Sequence, residues 1–200
     1  MAKTRSRRDD NLRRHIAYLA ARLMAEEGIV DYGTAKVKAA RQAGLADSAT
    51  LPDNREIEAA LREFQSLYQS EDQPLELKAL RAVALDVMRE LAPFRPFVVG
   101  AVLNGTANRF SEVCLQVYSD DAKALMLHLV NRRRSVETDE KRVRIGDAWA
   151  MLPQMRFEVD GAPVVITVYG ENDERIAPRA REGEGPQRAR LEEAEALFGA

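Results

Sequence analysis

The hydrophobic period of this chain changes once, and that change limits what it can fold into. Before Leu91, apolar residues recur three and four positions apart. From Phe97 they alternate or run together, as in strands. The expected fold class is therefore α+β, with helices in residues 1–92, strands in residues 93–200, and the two parts forming one compact body.

Within the first part, Leu12, Ile16, Leu19 and Leu23 predict a helix over Asn11 to Glu27, capped by Asp9 or Asp10 after a frayed basic start. Asp31 predicts the cap of a second helix, Tyr32 to Gln42, with Gly44 as its stop. Asp53 with Glu56 three positions on has the form of a capping box. Ile57, Leu61, Phe64, Leu67 and Tyr68 form the stripe of the helix that follows. A fourth helix, with Pro74 in its first turn, buries Leu77, Leu80, Ala84, Val87, Met88 and Leu91.

In the second part, Phe97 to Val102 reads as a strand covered on both faces. Glu112 to Tyr118 alternates, with Val113, Leu115 and Val117 on one face and Glu112, Cys114, Gln116 and Tyr118 on the other. A helix capped by Ser119 or Asp120 is expected through Asn131, with Ala122, Leu125, Met126 and Leu129 inward. Short strands are expected around Val136 and Val143 to Ile145. Asp160-Gly161 predicts a hairpin joining Met155–Val159 to Val164–Tyr169, its turn lengthened by Ala162-Pro163. Gly170 to Pro186 reads as loop and Gln187 to Phe198 as a closing helix, while Trp149 is expected in the core or packed under the hairpin.

Composition excludes several classes of function. The single cysteine, Cys114, allows no internal disulfide, and the basic start lacks a following apolar segment, so a cytoplasmic protein without a secretory signal is expected. No apolar run approaches the ~20 residues of a membrane span, so no membrane partner is expected. Two histidines, His15 and His128, with one cysteine do not make a standard zinc ligand set, and they argue no base for a nucleophilic thiol. Charge is unevenly spread. The first 44 residues hold ten Lys/Arg against five Asp/Glu, and residues 171–200 hold eight acids against five Arg. Arg132, Arg133, Arg134, Lys141, Arg142 and Arg144 form a basic stretch able to meet phosphates, interrupted by Glu137, Asp139 and Glu140.

The stretch that can carry chemistry is Pro96 to Asp121, PFVVGAVLNGTANRFSEVCLQVYSDD: a strand, a glycine-marked loop and a second strand. Strand period sends residues i and i+2 to one face, so an acid, an apolar residue and an acid in succession can grip divalent ions that bind nucleotide phosphates. Small residues at a preceding turn let backbone N–H groups approach phosphate. In Val98-Val99-Gly100-Ala101, in Gly105-Thr106-Ala107 with Arg109, and in Ser111-Glu112-Val113-Cys114-Leu115, the chain resembles the nucleotidyltransferase superfamily, the fold of DNA polymerase beta.

The resemblance implies a mixed sheet of that kind carrying the N-terminal helical unit, with a C-terminal helix. It implies phosphate contacts at Gly100, Ala101 and Arg109, and a catalytic, Mg²⁺-holding carboxylate at Glu112. The departures are explicit. Ala101 replaces the family's hydroxyl residue, Cys114 stands where a second acid is expected, and Val164 to Val168 supplies no third, leaving Glu158 and Asp160 as substitutes. A neutral thiol is a poor ligand for hard Mg²⁺. Two functions follow as expectations. One is a protein that binds a nucleoside triphosphate with Mg²⁺ and transfers a nucleotidyl group to an unknown acceptor, with attenuated or lost activity. The alternative is a non-catalytic module on a degenerate scaffold that binds a protein or RNA partner.

Overall fold

A computed structural model of the protein describes residues 2–44, 51–145, 148–175 and 187–199, with side chains from residue 9 onward. The fold is α+β. Seven α-helices and one six-stranded mixed sheet occur among the described residues, ending in a C-terminal helix. Two compact units divide the chain: Met1–Leu75 with Asn108–Phe110, and Glu76–Ala107 with Ser111–Ala200. That division falls in the first turns of the fourth helix, a different boundary from the change of period near residue 92.

The first unit is built on α1 (Ala2–Glu27), α2 (Tyr32–Gln42) and α3 (Asn54–Tyr68). Ile16, Ala20, Leu23, Ala35, Ala39, Ile57, Leu61 and Phe64 form its core. The predicted caps of α2 and α3 are present: Thr34 N–H donates to Asp31 at 2.7 Å, and Asp53 with Glu56 completes a reciprocal capping box. The predicted start of α1 is corrected, because the helix begins at Ala2 and not after Asp9 or Asp10. Part of the expected connection from Leu45 to Pro52 lies outside the described residues. The loop segment Asn108–Phe110 belongs to this unit, with Asn108 Nδ2 3.5 Å from the Met24 carbonyl oxygen. A Cβ at Gly28 would lie 2.9 Å from Phe110 Cγ, so only glycine admits that ring.

The second unit holds α4 (Asp72–Glu90) beyond its first turn, β1 (Phe97–Val99), α5 (Ala101–Asn104), β2 (Val113–Tyr118), α6 (Ala122–Asn131), β3 (Glu137–Ile145), β4 (Ala148–Val159), β5 (Ala162–Tyr169), β6 (Arg188–Ala189) and α7 (Leu191–Phe198). The strand order is β3-β4-β5-β2-β1-β6. The β2–β5 pair is parallel and the others are antiparallel. Leu80, Ala84, Val87 and Met88 of α4, Leu125 and Leu129 of α6, and Ala194 of α7 join the alternate strand residues Val98, Val113, Leu115, Val117, Val164, Ile166 and Val168 in one core. All seven strand residues lie on one side of the sheet, so the helices cover that side.

Local expectations are corrected in several places. The first strand stops at Val99 rather than Val102, because Gly100 takes φ 72° and ψ −149° and Ala101–Asn104 turns into a short helix. β2 begins at Val113, leaving Glu112 just before it. Asp121, not Ser119 or Asp120, caps α6 through a 2.9 Å bond from Ala124 N–H, and Met126 points outward, 38% exposed.

The short strands predicted around Val136 and Val143 are one strand, β3. Asp160 and Gly161, with φ 51° and 80°, form a two-residue turn, so Ala162 and Pro163 lie in β5 and do not lengthen it. Trp149 is exposed, not core. The predicted closing helix divides, since Arg188 and Ala189 add to β1 as an edge strand and α7 starts at Leu191, with Leu197 partly exposed. Of the predicted loop Gly170 to Pro186, a 3-10 turn spans Glu171–Arg175 and the rest lies outside the described residues.

Candidate functional site on the polar face of the sheet

Strand alternation that buries Leu115 turns Glu112, Cys114 and Gln116 to the other side of the sheet. Register extends this side across neighbouring strands. Cys114 is opposite Val99 of β1 and Val165 of β5, and Val165 is opposite Arg156 of β4. Gly100 is on the same side, since a Cβ placed on it would lie 3.9 Å from Cys114 Cβ. The turn glycine and the face of β2 that carries Cys114 therefore meet on one side of the sheet.

The chemistry of that face is set by arginine. Arg156 Nη1 donates to Glu112 Oε1 at 2.7 Å, while its Nη2 donates to Gln154 Oε1 at 2.9 Å. Gln154, 4% exposed, passes the network on by donating through Nε2 to Thr167 Oγ1 at 3.2 Å. The ion-paired side chains are 40% and 29% exposed, so the pair forms at the mouth of the face and not in a dry interior. Burial raises the Cys114 thiol pKa above its ordinary value, with the Glu112 charge adding to the rise, and Lys141 and Arg156 opposing it. The thiol is thus held protonated at neutral pH, the wrong state for a nucleophile or a metal ligand.

Toward β6 the same face becomes aromatic. Arg188 Nη1 donates to Tyr118 OH at 2.9 Å, and Tyr118 OH donates to Gln116 Oε1 at 3.0 Å. The Arg188 guanidinium also stacks 4.6 Å from the Phe97 ring centre. Burial comes first among the causes that raise the Tyr118 and Tyr169 pKa values. These groups are largely occupied with one another.

Each candidate residue now has a place. Gly100 precedes α5, Ala101 is its first residue, and Glu112 abuts β2, all in the second unit. Arg109 lies in the loop segment of the first unit, its guanidinium 4.6 Å over the Phe110 ring. Of the proposed substitute acids, Glu158 is exposed on β4 opposite Pro163, and Asp160 is spent on the β4–β5 turn. The basic stretch divides as well. Arg134 pairs with Glu90 at 2.7 Å before β3 begins, while Arg142 and Arg144 lie toward its far end. Arg156 and Gln154 were missed by sequence reading. Their only signal was polarity at alternate positions of a strand, and Arg156 is 44 residues from its partner.

The donor set does not fit Mg²⁺. Among the described residues no three His, Cys, Asp or Glu side chains gather as a metal group. Glu112 has a protonated thiol and a guanidinium as neighbours where a second carboxylate and a dication would be needed. No helix among the described residues is long and apolar enough to cross a membrane. No protein-family model matches the chain, and no curated protein matches it. The fold and face thus define an α+β protein with one helix-covered side and one polar, arginine-lined side to its sheet.

Proposed function

We propose that the chain is a non-catalytic binding module on a nucleotidyltransferase-like scaffold, in which nucleotidyl transfer has been lost or strongly attenuated. The observation that carries this reading is the 2.7 Å ion pair between Arg156 and Glu112. A guanidinium is fixed, singly charged and unable to exchange ligands, so it neutralises the carboxylate without supplying the phosphate-bridging role of a divalent ion. Its partner is a protein or an RNA held by surfaces outside the ion pair.

The competing reading keeps catalysis. A nucleoside triphosphate with Mg²⁺ would displace Arg156, Glu112 would hold the ion, and Gly100 and Ala101 would meet the phosphates. One assay separates the two. Labelled nucleoside triphosphates with Mg²⁺ are expected to give no transferred product and no titration heat with the natural chain. The variant carrying Ala101→Ser, Cys114→Asp and Val165→Asp is expected to gain product, because positions 114 and 165 are paired neighbours on the same face. Product from the natural chain that disappears in Glu112→Ala overturns the proposal.

A further inference from the structure

β3 and β4 continue past the rest of the sheet. β4 pairs with β5 only from Gln154 to Val159, whereas it pairs with β3 from Ala148 to Arg156. Residues Glu140–Ile145 and Ala148–Pro153 therefore form a two-stranded ribbon with no third strand among the described residues, about 20 Å long at ~3.3 Å per residue. The turn at residues 146–147 lies outside the described residues.

The two sides of this ribbon differ. Leu152, Ala150 and Val143 share one side and are buried or half-buried. The opposite side carries Arg142 across from Met151 and Arg144 across from Trp149, and all four are exposed, Trp149 by 59% and Met151 by 55%. The Arg142 guanidinium lies 4.6 Å from the centre of the Trp149 ring. Trp149 is no part of the helix-covered core, and it lies beyond Gln154, where the pairing of β4 with β5 stops.

We propose that this side of the ribbon binds single-stranded nucleic acid, with Trp149 as the stacking platform for a base and Arg142 and Arg144 meeting the flanking phosphates. The inference deepens the binding-module reading by naming the partner class. Three features support it together. An aromatic ring is a platform every base can use, and paired arginines supply the charge that a sugar–phosphate backbone requires. The Arg142 contact holds the ring in one orientation, which reduces the entropy lost on stacking. Projection from the sheet gives a strand access to the ring.

A second copy of the chain is the other occupant to weigh, since β3 is an edge strand. Antiparallel pairing across a twofold axis sets one residue opposite its own symmetry mate, because paired residues must share a face. At the middle of β3 that residue is Glu140, Lys141 or Arg142, so a like-charge pair falls at the centre.

Trp149 is the sole tryptophan of the chain, so its fluorescence reports the site directly. Titration of the full chain with a short oligothymidine at low salt is expected to quench that emission and to weaken as salt rises. Trp149→Ala, followed by anisotropy of a labelled oligonucleotide, is expected to weaken binding about tenfold or more, and Trp149→Phe to retain most of it. Arg142→Ala is expected to lower the salt slope by about 0.7, the value for one lost phosphate contact on a single strand. Both positions are exposed, and an unchanged circular dichroism melt checks the fold of each variant. Binding unaltered by Trp149→Ala overturns the proposal, as does an absence of binding. A fluorescence change that follows protein concentration and not oligonucleotide also overturns it, in favour of a second copy. Nucleotidyl transfer is measured separately, so failure here leaves the reading of the Glu112–Arg156 pair intact, and the reverse.

Discussion

Two rows of side chains cross the same five strands one residue apart, alike in their apolar residues on β1 and β5 and different on the other three strands. Ala189, Val98, Leu115, Ile166 and Met155 are register partners in sequence across the sheet, each no more than 3% exposed, under the helices. The next row is Arg188, Val99, Cys114, Val165 and Arg156. One row is held by burial of apolar area, which is large and non-directional. The other is closed by hydrogen bonds and an ion pair, each small in net effect but specific in direction. The sheet therefore keeps most of its buried apolar area on one side and its charged and hydrogen-bonding groups on the other.

The sharpest way to break this contrast is on the apolar row. Ile166→Ala is expected to cost about 2–5 kcal/mol in urea unfolding, because its site beneath the helices leaves a cavity. A loss below about 1 kcal/mol would mean that the helix-covered side does not carry the stability. On the polar side Thr167→Val is expected to cost about 1–3 kcal/mol, since it leaves the buried Gln154 Nε2 without its 3.2 Å acceptor.

Glu112→Gln is expected to cost only about 0.2–1 kcal/mol and to lose its effect at high salt, because the pair with Arg156 is partly exposed. Near neutral pH the smallest effect belongs to Cys114. Its folded-state pKa is raised, so its contribution is fully present below the unfolded-state value of about 8.5 and is lost as pH rises toward the folded one. Cys114→Ala is expected to flatten the fall in stability of the natural chain above that pH, measured by urea melts across the alkaline range.

How much of this was legible depends on how local the cause is. The Asp53–Glu56 capping box, the Asp31 cap, the β2 alternation and the Asp160-Gly161 turn were all readable, because each is decided within a few residues. The end of β1 at Gly100 was missed, since an apolar run such as Val102-Leu103 suits a buried strand or a buried helical turn equally. β6 carries no pattern of its own; two residues become a strand only because the β1 edge is there to pair with them. Trp149 was misplaced for a related reason. A large aromatic is most often core, but this one sits where β4 has run past its pairing with β5.

For the candidate site, the sequence by itself determined that Glu112 and Cys114 share a face. Side-chain period along one strand is a local property and needs no partner. Only the tertiary structure decided what stands against Glu112, because Arg156 reaches it through pairing of β2 with β5 and of β5 with β4, and strand order is not written in any single segment. It also decided that Arg142 meets Trp149 in the open, since where a ribbon outruns its neighbours depends on the lengths of three strands together.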